Sequence, residues 1–213
     1  MALETEINYL KSMMLRMANT VISNLKVAFD AYLHFDPDKK YIVNDDLVDQ
    51  QERLIEEECL DILVKERPYA SDLRIVTGIL KLISDIERLG DHAEDILEFA
   101  NKLKAEDKHH IEKIDNLSEI ALTMVNNALL SFVKNDQKLA AETIENDKIV
   151  DKGYYDLVET LISLTENKKV SAAFACYSVL MVKYIERIAD HAVNIAEWVI
   201  YILSGYHKDK RIF

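Results

Sequence analysis

Apolar residues recur at helical spacing along almost the whole chain. From Leu3 to about Phe35 they fall at Leu10, Met14, Met17, Val21, Leu25, Ala28 and Tyr32, the three- and four-residue steps that keep one face of an α-helix apolar. The methionines among them read as flexible core filler. A second helix is predicted from about Pro37 to Glu66, with Leu47, Leu54, Ile55 and Ile62 on one side and dense charge on the other. Asp36 is placed to cap it, Pro37 to occupy its first turn, and Arg67-Pro68 to end it. Ser71 or Asp72 can cap a third helix reaching about Leu103. The polar run from Lys104 to His110 reads as a link, with His109 and His110 exposed and without acidic or cysteine partners at ligand spacing. The plan then repeats, with helices from about Ile111 to Lys134, Asp136 to Thr165 and Lys169 to Leu203, and Gly205 as the natural stop. Gly153, inside the fifth helix, costs about 1 kcal/mol relative to Ala. It either permits a close helix approach or is tolerated at the surface.

Composition agrees with long helices. Only four Gly and two Pro occur in 213 residues, whereas strand-and-turn folds need many such residues. The expected fold class is all-α. A formal net charge of −12 disfavours nucleic acid and anionic membrane surfaces, both of which call for basic faces. The longest charge-free run, Val170 to Val182, is too short to cross a bilayer. The first residues carry early acids and no secretory pattern. A cytoplasmic protein is the expectation, with Cys59 and Cys176 as buried, reduced thiols. The apolar tail Trp198-Val199-Ile200-Tyr201-Ile202-Leu203 suggests either a homodimer surface or core.

One stretch occurs twice. Ile86-Glu87-Arg88-Leu89-Gly90-Asp91-His92-Ala93 returns 99 residues later as Ile185-Glu186-Arg187-Ile188-Ala189-Asp190-His191-Ala192. Such fixed-offset similarity marks one structural unit built twice. A weaker match relates Asn44-Asp45-Asp46-Leu47-Val48-Asp49 to Asn146-Asp147-Lys148-Ile149-Val150-Asp151, at an offset of 102. Two similar three-helix bundles follow, residues 1–106 and 107–213.

The duplication carries four acidic pairs: Asp45/Asp49, Glu87/Asp91, Asp147/Asp151 and Glu186/Asp190. Members four residues apart share a helical face, where like charges oppose helix formation by a few tenths of a kcal/mol. If the antiparallel helices of each half bring their pairs together, four carboxylates converge. At about 6 Å and an effective dielectric of about 20, each pair of charges repels by on the order of 3 kcal/mol. A multivalent cation removes that repulsion. All-oxygen ligation suits iron, manganese, magnesium or calcium better than zinc. The alternative is that Arg88, Arg187 and Lys183 neutralise the acids in ordinary surface ion pairs, worth little each. His92 and His191 lie about 140° round the helix from their glutamates, which suits interhelical hydrogen bonding better than ligation of the same ion.

At these residues, and at Pro68-Tyr69-Ala70-Ser71-Asp72-Leu73-Arg74, which is similar to the pattern P-x-A-x-D-L-R, the chain resembles the PhoU family of phosphate-transport regulators. The ending Asn194-Ile195-Ala196-Glu197-Trp198 is family-like too. The resemblance spans nearly the whole length. It implies multinuclear metal clusters held by Asp45, Asp49, Glu87 and Asp91 in the first half, and by Asp147, Asp151, Glu186 and Asp190 in the second. It also implies a non-enzymatic negative regulator of phosphate uptake and phosphate-starvation signalling, with the phosphate ABC transporter ATPase and a membrane sensor histidine kinase as partners. Two departures stand out. Glu94-Asp95 replaces the more family-like Val193-Asn194, and Tyr154 and Val158 stand where the second helix has Glu52 and Glu56. Two rival classes remain: a ferritin-like di-metal oxidoreductase and a metal-free helical adaptor. The first needs E-x-x-H, but Gly90 and Ala189 occupy the third position after Glu87 and Glu186.

Overall fold

The computed structural model describes residues 2–103, 109–208 and 210–211. Six helices carry the fold: α1 (Ala2–Leu33), α2 (Asp45–Lys65), α3 (Ser71–Lys102), α4 (Glu112–Lys134), α5 (Gln137–Glu166) and α6 (Ala172–Ser204). Helices α1 to α3 pack on one another as one bundle and α4 to α6 as a second, and the bundles meet along α3 against α6 and α1 against α4. The all-α, duplicated architecture is therefore as expected. One small addition is an antiparallel hairpin of β1 (Tyr206–His207) and β2 (Lys210–Arg211), pairing Tyr206 with Arg211 and His207 with Lys210. The 106/107 division and most of the expected link, residues 104–108, lie outside the described residues.

The core is one continuous apolar mass. Met14 and Met17 are fully buried in it, as are Ile55, Ile86, Leu89, Ile185 and Ile188. The tail from Trp198 to Leu203 joins this core, with Val199, Tyr201 and Ile202 buried and Trp198, Ile200 and Leu203 partly buried against it. Two glycines mark close approaches. A Cβ on Gly78 would lie 2.3 Å from Ile202 Cγ1, where α3 meets α6, and one on Gly153 would lie 2.5 Å from Leu117 Cδ1. Gly153 thus faces the tip of one α4 side chain. Gly205 ends α6 in the left-handed region, at φ 83°, as expected.

Three local expectations change. Helix α2 starts at Asp45, not Pro37. Asn44 is its cap, accepting from Leu47 N at 3.3 Å. The half-buried approach is fixed by a reciprocal pair, in which Asn24 Nδ2 donates to Asn44 O and Asn44 N donates to Asn24 Oδ1, each at 3.3 Å. Asp36 instead accepts from Asp38 N at 2.9 Å, a local turn that competes with helix initiation. Replacing Asn44 with Ala should cost about 1 kcal/mol through the lost cap, and urea denaturation of that variant measures it. Helix α3 has Ala70 at its entry, at φ 51°, with no side-chain cap. Asp72 therefore lies inside the first turn, where its charge complements the helix dipole. Cys59 is buried but Cys176 is exposed. Both thiols are free, and burial pushes that of Cys59 up to about 12.

Candidate metal sites

Helix α2 runs beside α3, and α5 beside α6, so each bundle brings its two acidic pairs to one face. In the first bundle, desolvation pushes Asp45 up to about 6, with Asp91, Glu94, Asp49 and Asp46 adding repulsion. Glu87 is pushed up to about 7 by desolvation and Asp91, against the opposing pull of Arg88. In the second, desolvation followed by Asp151, Asp190 and Glu186 pushes Asp147 up to about 6. Asp190 is raised by desolvation, then by Glu186 and Asp151. The eight carboxylates thus gather into two quartets.

The clearest sign of unmet ligand capacity is repeated. Asp45 Oδ1 is buried without a hydrogen-bond partner, and so is Asp147 Oδ1, its equivalent in the duplication. A buried carboxylate oxygen left unpaired is costly. Asp45 Oδ1 rests against Gly90, where a Cβ would come within 2.9 Å of it; the second bundle has Ala189 at that place. Donor type and orphaned oxygens therefore fit a hard multivalent cation. As placed, however, neither quartet brings three ligand atoms within 4.8 Å of one another, so each is an open acidic face whose side chains would have to turn inward.

Basic residues share these faces. Arg88 reaches Asp91 at 2.8 Å and Glu87 at 3.6 Å, and Lys183 reaches Glu186 at 2.5 Å. Arg187 is occupied otherwise, over the Tyr184 ring at 5.6 Å. The departures noted in sequence prove to be coupled. Ser84 donates to Glu52 at 3.3 Å in the first bundle. Its counterpart Lys183 lies 5.3 Å over the Tyr154 ring, Tyr154 standing where Glu52 would be. Glu94 bears on Asp45, whereas Val193 offers nothing similar. Both glutamates have a cation beside them, but the first face is the more acidic, with Glu52, Ser84 and Glu94 where the second has Tyr154, Lys183 and Val193.

The histidines of the repeat lie away from the acidic faces. His191 Nδ1 lies 2.8 Å from Asp85 Oδ1, which also accepts from Asn194 Nδ2 at 3.1 Å. This is the interhelical role expected of it. His92 is different, for neither ring nitrogen has a hydrogen-bond partner and its contacts are with the Tyr184 and His191 rings, at 4.9 and 5.3 Å. Burial lowers its pKa to about 3, so it is neutral in the fold. Arg74, in the P-x-A-x-D-L-R segment, donates from Nε to Ile202 O at 3.4 Å, tying the start of α3 to the end of α6.

These shifts set opposing pH effects. The raised carboxyls bind protons in the folded chain that the unfolded chain, at 3.8 or 4.5, does not, so metal-free protein gains stability from them as pH falls from about 7 towards 4. His92 acts the other way, because the unfolded chain protonates it below 6.5 and the fold refuses that proton down to about 3. The melting temperature of chelated protein should therefore peak in mildly acidic buffer. Asp45→Asn with Asp147→Asn should flatten the rise between pH 8 and 5.5; an unchanged profile would sink this account.

A duplicated pair of three-helix bundles, each presenting an acidic face built from two antiparallel helices, defines the class. The PhoU domain model matches residues 14–100 and 114–199, one match to each bundle. This chain belongs to the PhoU family. A Burkholderia relative, the phosphate-specific transport system accessory protein PhoU homolog, is 32% identical over 198 residues, covering 90% of this chain and 84% of its own length. A Pseudomonas aeruginosa homolog of the same description is 32% identical over 204 residues, 94% of this chain and 84% of its own length. Among solved structures, the phosphate transport system regulatory protein PhoU of Streptococcus pneumoniae superposes with a TM-score of 0.88 at 26% identity, covering 98% of this chain and all of that one. PhoU of P. aeruginosa gives 0.87 at 31% identity, covering 95% and 99%. No helix among the described residues is long and apolar enough to cross a membrane.

Proposed function

We propose that this protein is a non-enzymatic accessory regulator of phosphate-specific transport that holds multivalent metal ions on its two acidic faces. The observation that carries the metal assignment is the orphaned, buried carboxylate oxygen of Asp45 and its repetition at Asp147. Asp45, Asp49, Glu87 and Asp91 would hold ions in the first bundle, and Asp147, Asp151, Glu186 and Asp190 in the second. Bound ions would supply positive charge to faces that otherwise repel themselves, with iron or manganese the ions best suited and magnesium or calcium next. Elemental analysis after chelator-free purification tests this. A preparation free of multivalent metal that also takes none up on titration would favour the metal-free adaptor.

The regulatory reading rests on the family. The relatives are described as accessory proteins of phosphate-specific transport, and we extend to this chain their expected partners, the transporter's ATPase subunit and a membrane sensor kinase, with an inhibitory outcome. A ferritin-like oxidoreductase is disfavoured on geometry as well as motif. His191 and His92, the imidazoles nearest the acidic pairs in sequence, are committed to the contact between α3 and α6. Deleting the gene should raise phosphate uptake and leave starvation signalling on in phosphate-rich medium; unchanged uptake and signalling would overturn the regulatory assignment.

A further inference from the structure

Away from both acidic faces, a third group of ligand-type side chains meets where the bundles adjoin. His34 follows the last turn of α1, while His110 and Asp115 come from the entry and first turn of α4. Their sequence separation hid the group, since His34 stands far from the other two and the approach to α4 shows no ligand motif. The Nε2 atoms of His34 and His110 lie 3.6 and 3.4 Å from Asp115 Oδ2. One ligand atom from each of the three falls within 4.8 Å of the other two, the only such set among the described residues. Ligands about 2.0–2.1 Å from a tetrahedral ion stand about 3.4 Å apart. Both histidines are therefore close to that separation from the carboxylate, and the three ligand atoms need only small shifts to close round an ion.

The surroundings are those of a supported site. Asp30, one turn before His34, sets its Oδ1 3.8 Å from His34 Nδ1; a carboxylate on the far nitrogen favours the tautomer whose Nε2 faces an ion. Lys39 pairs with the other Asp30 oxygen. Asp115 Oδ1 is buried and without a hydrogen-bond partner, so this carboxylate has acceptor capacity to spare. The two imidazole rings sit 6.1 Å apart and tilted by 39°, beside a cleft that Glu119 also lines.

We propose that His34, His110 and Asp115 form a three-ligand site for a late first-row divalent ion, with water in the fourth position. Its two imidazole nitrogens select zinc, cobalt or nickel, ions different from those suited to the all-oxygen faces. An ion held there ties the end of α1 to the start of α4, and so one bundle to the other. This assignment is independent of metal at the acidic quartets, and the test separates the two.

Cobalt(II) is the probe, because a tetrahedral ion with nitrogen ligands absorbs visible light far more strongly than a six-coordinate, all-oxygen one. Titrating the full chain should give an intense band that saturates at one equivalent and is abolished by zinc. His34→Asn and His110→Asn should each weaken binding at least about tenfold. Both side chains are 57% exposed, so neither change disturbs the core, and circular dichroism checks that helicity is kept. Glu186→Gln with Asp190→Asn should leave the band unaltered. An absent band in the wild type at millimolar cobalt, or a band that forms in either histidine variant with wild-type affinity, overturns the proposal.

Discussion

Chelation of metal-loaded protein is expected to lower its melting temperature by roughly 5–10 °C. Metal bound only by the folded state stabilises it by mass action, about 2.7 kcal/mol at a hundredfold excess over the dissociation constant, and a chain of this size moves about 2–4 °C per kcal/mol. Glu186→Gln with Asp190→Asn removes two proposed ligands of the second face and two charges that repel Asp147. The chelated variant should therefore be at least as stable as chelated wild type, and its chelated and loaded forms should differ less. The first face, untouched, is the internal control. If the double variant keeps full metal stoichiometry and an unchanged response to chelator, Glu186 and Asp190 are not ligands.

Gly78→Val should be among the most damaging single changes. The added Cβ would meet Ile202 Cγ1 at 2.3 Å and Cδ1 at 2.6 Å, with Tyr201 Cδ1 at 3.7 Å, and Ile202 and Tyr201 are both buried. A β-branched isoleucine on a helix has few other rotamers, so the helices must part. Overpacking of this kind costs about 1–3 kcal/mol, occasionally more. Gly153→Ala is the contrast. Its nearest neighbour is the tip of the Leu117 side chain, which can swing aside, and removing Gly from a helix interior returns about 1 kcal/mol. Urea denaturation of both variants decides the matter: a Gly78→Val protein with the wild-type midpoint would show that α3 and α6 are less tightly packed at this point than the structure indicates.

Six helices and their duplication were legible because the apolar period of each is unbroken and the repeated segments share their offset. Boundaries were less so. Helix α2 loses its first two expected turns because Asn24, from another helix, captures Asn44, and no local pattern could announce that. The four acidic pairs were legible from i, i+4 spacing, but the unequal character of the two faces was not. It depends on Ser84 with Glu52 against Lys183 with Tyr154, pairs that meet only across two helices. His92 and His191, alike in sequence, differ in the fold because their partners Tyr184 and Asp85 differ. The group of His34, His110 and Asp115 was invisible for the same reason, as its members belong to different halves.

The contact between α3 and α6 nearly maps onto itself when the halves are exchanged by a two-fold rotation. Asp85 meets His191 and Asn194. At the equivalent place on the other helix, Tyr184 meets His92, and desolvation followed by Asp95 raises the pKa of its hydroxyl. A seam of this kind is what two identical subunits form about a two-fold axis, which suits an ancestral homodimer later joined into one chain. The halves have since ceased to be interchangeable. Two copies of the first bundle would set Asp85 against Asp95, acid on acid, whereas the fused chain sets each acid against a hydrogen-bond donor. Separately expressed halves should accordingly prefer each other to themselves, and native mass spectrometry of a mixture would reveal it.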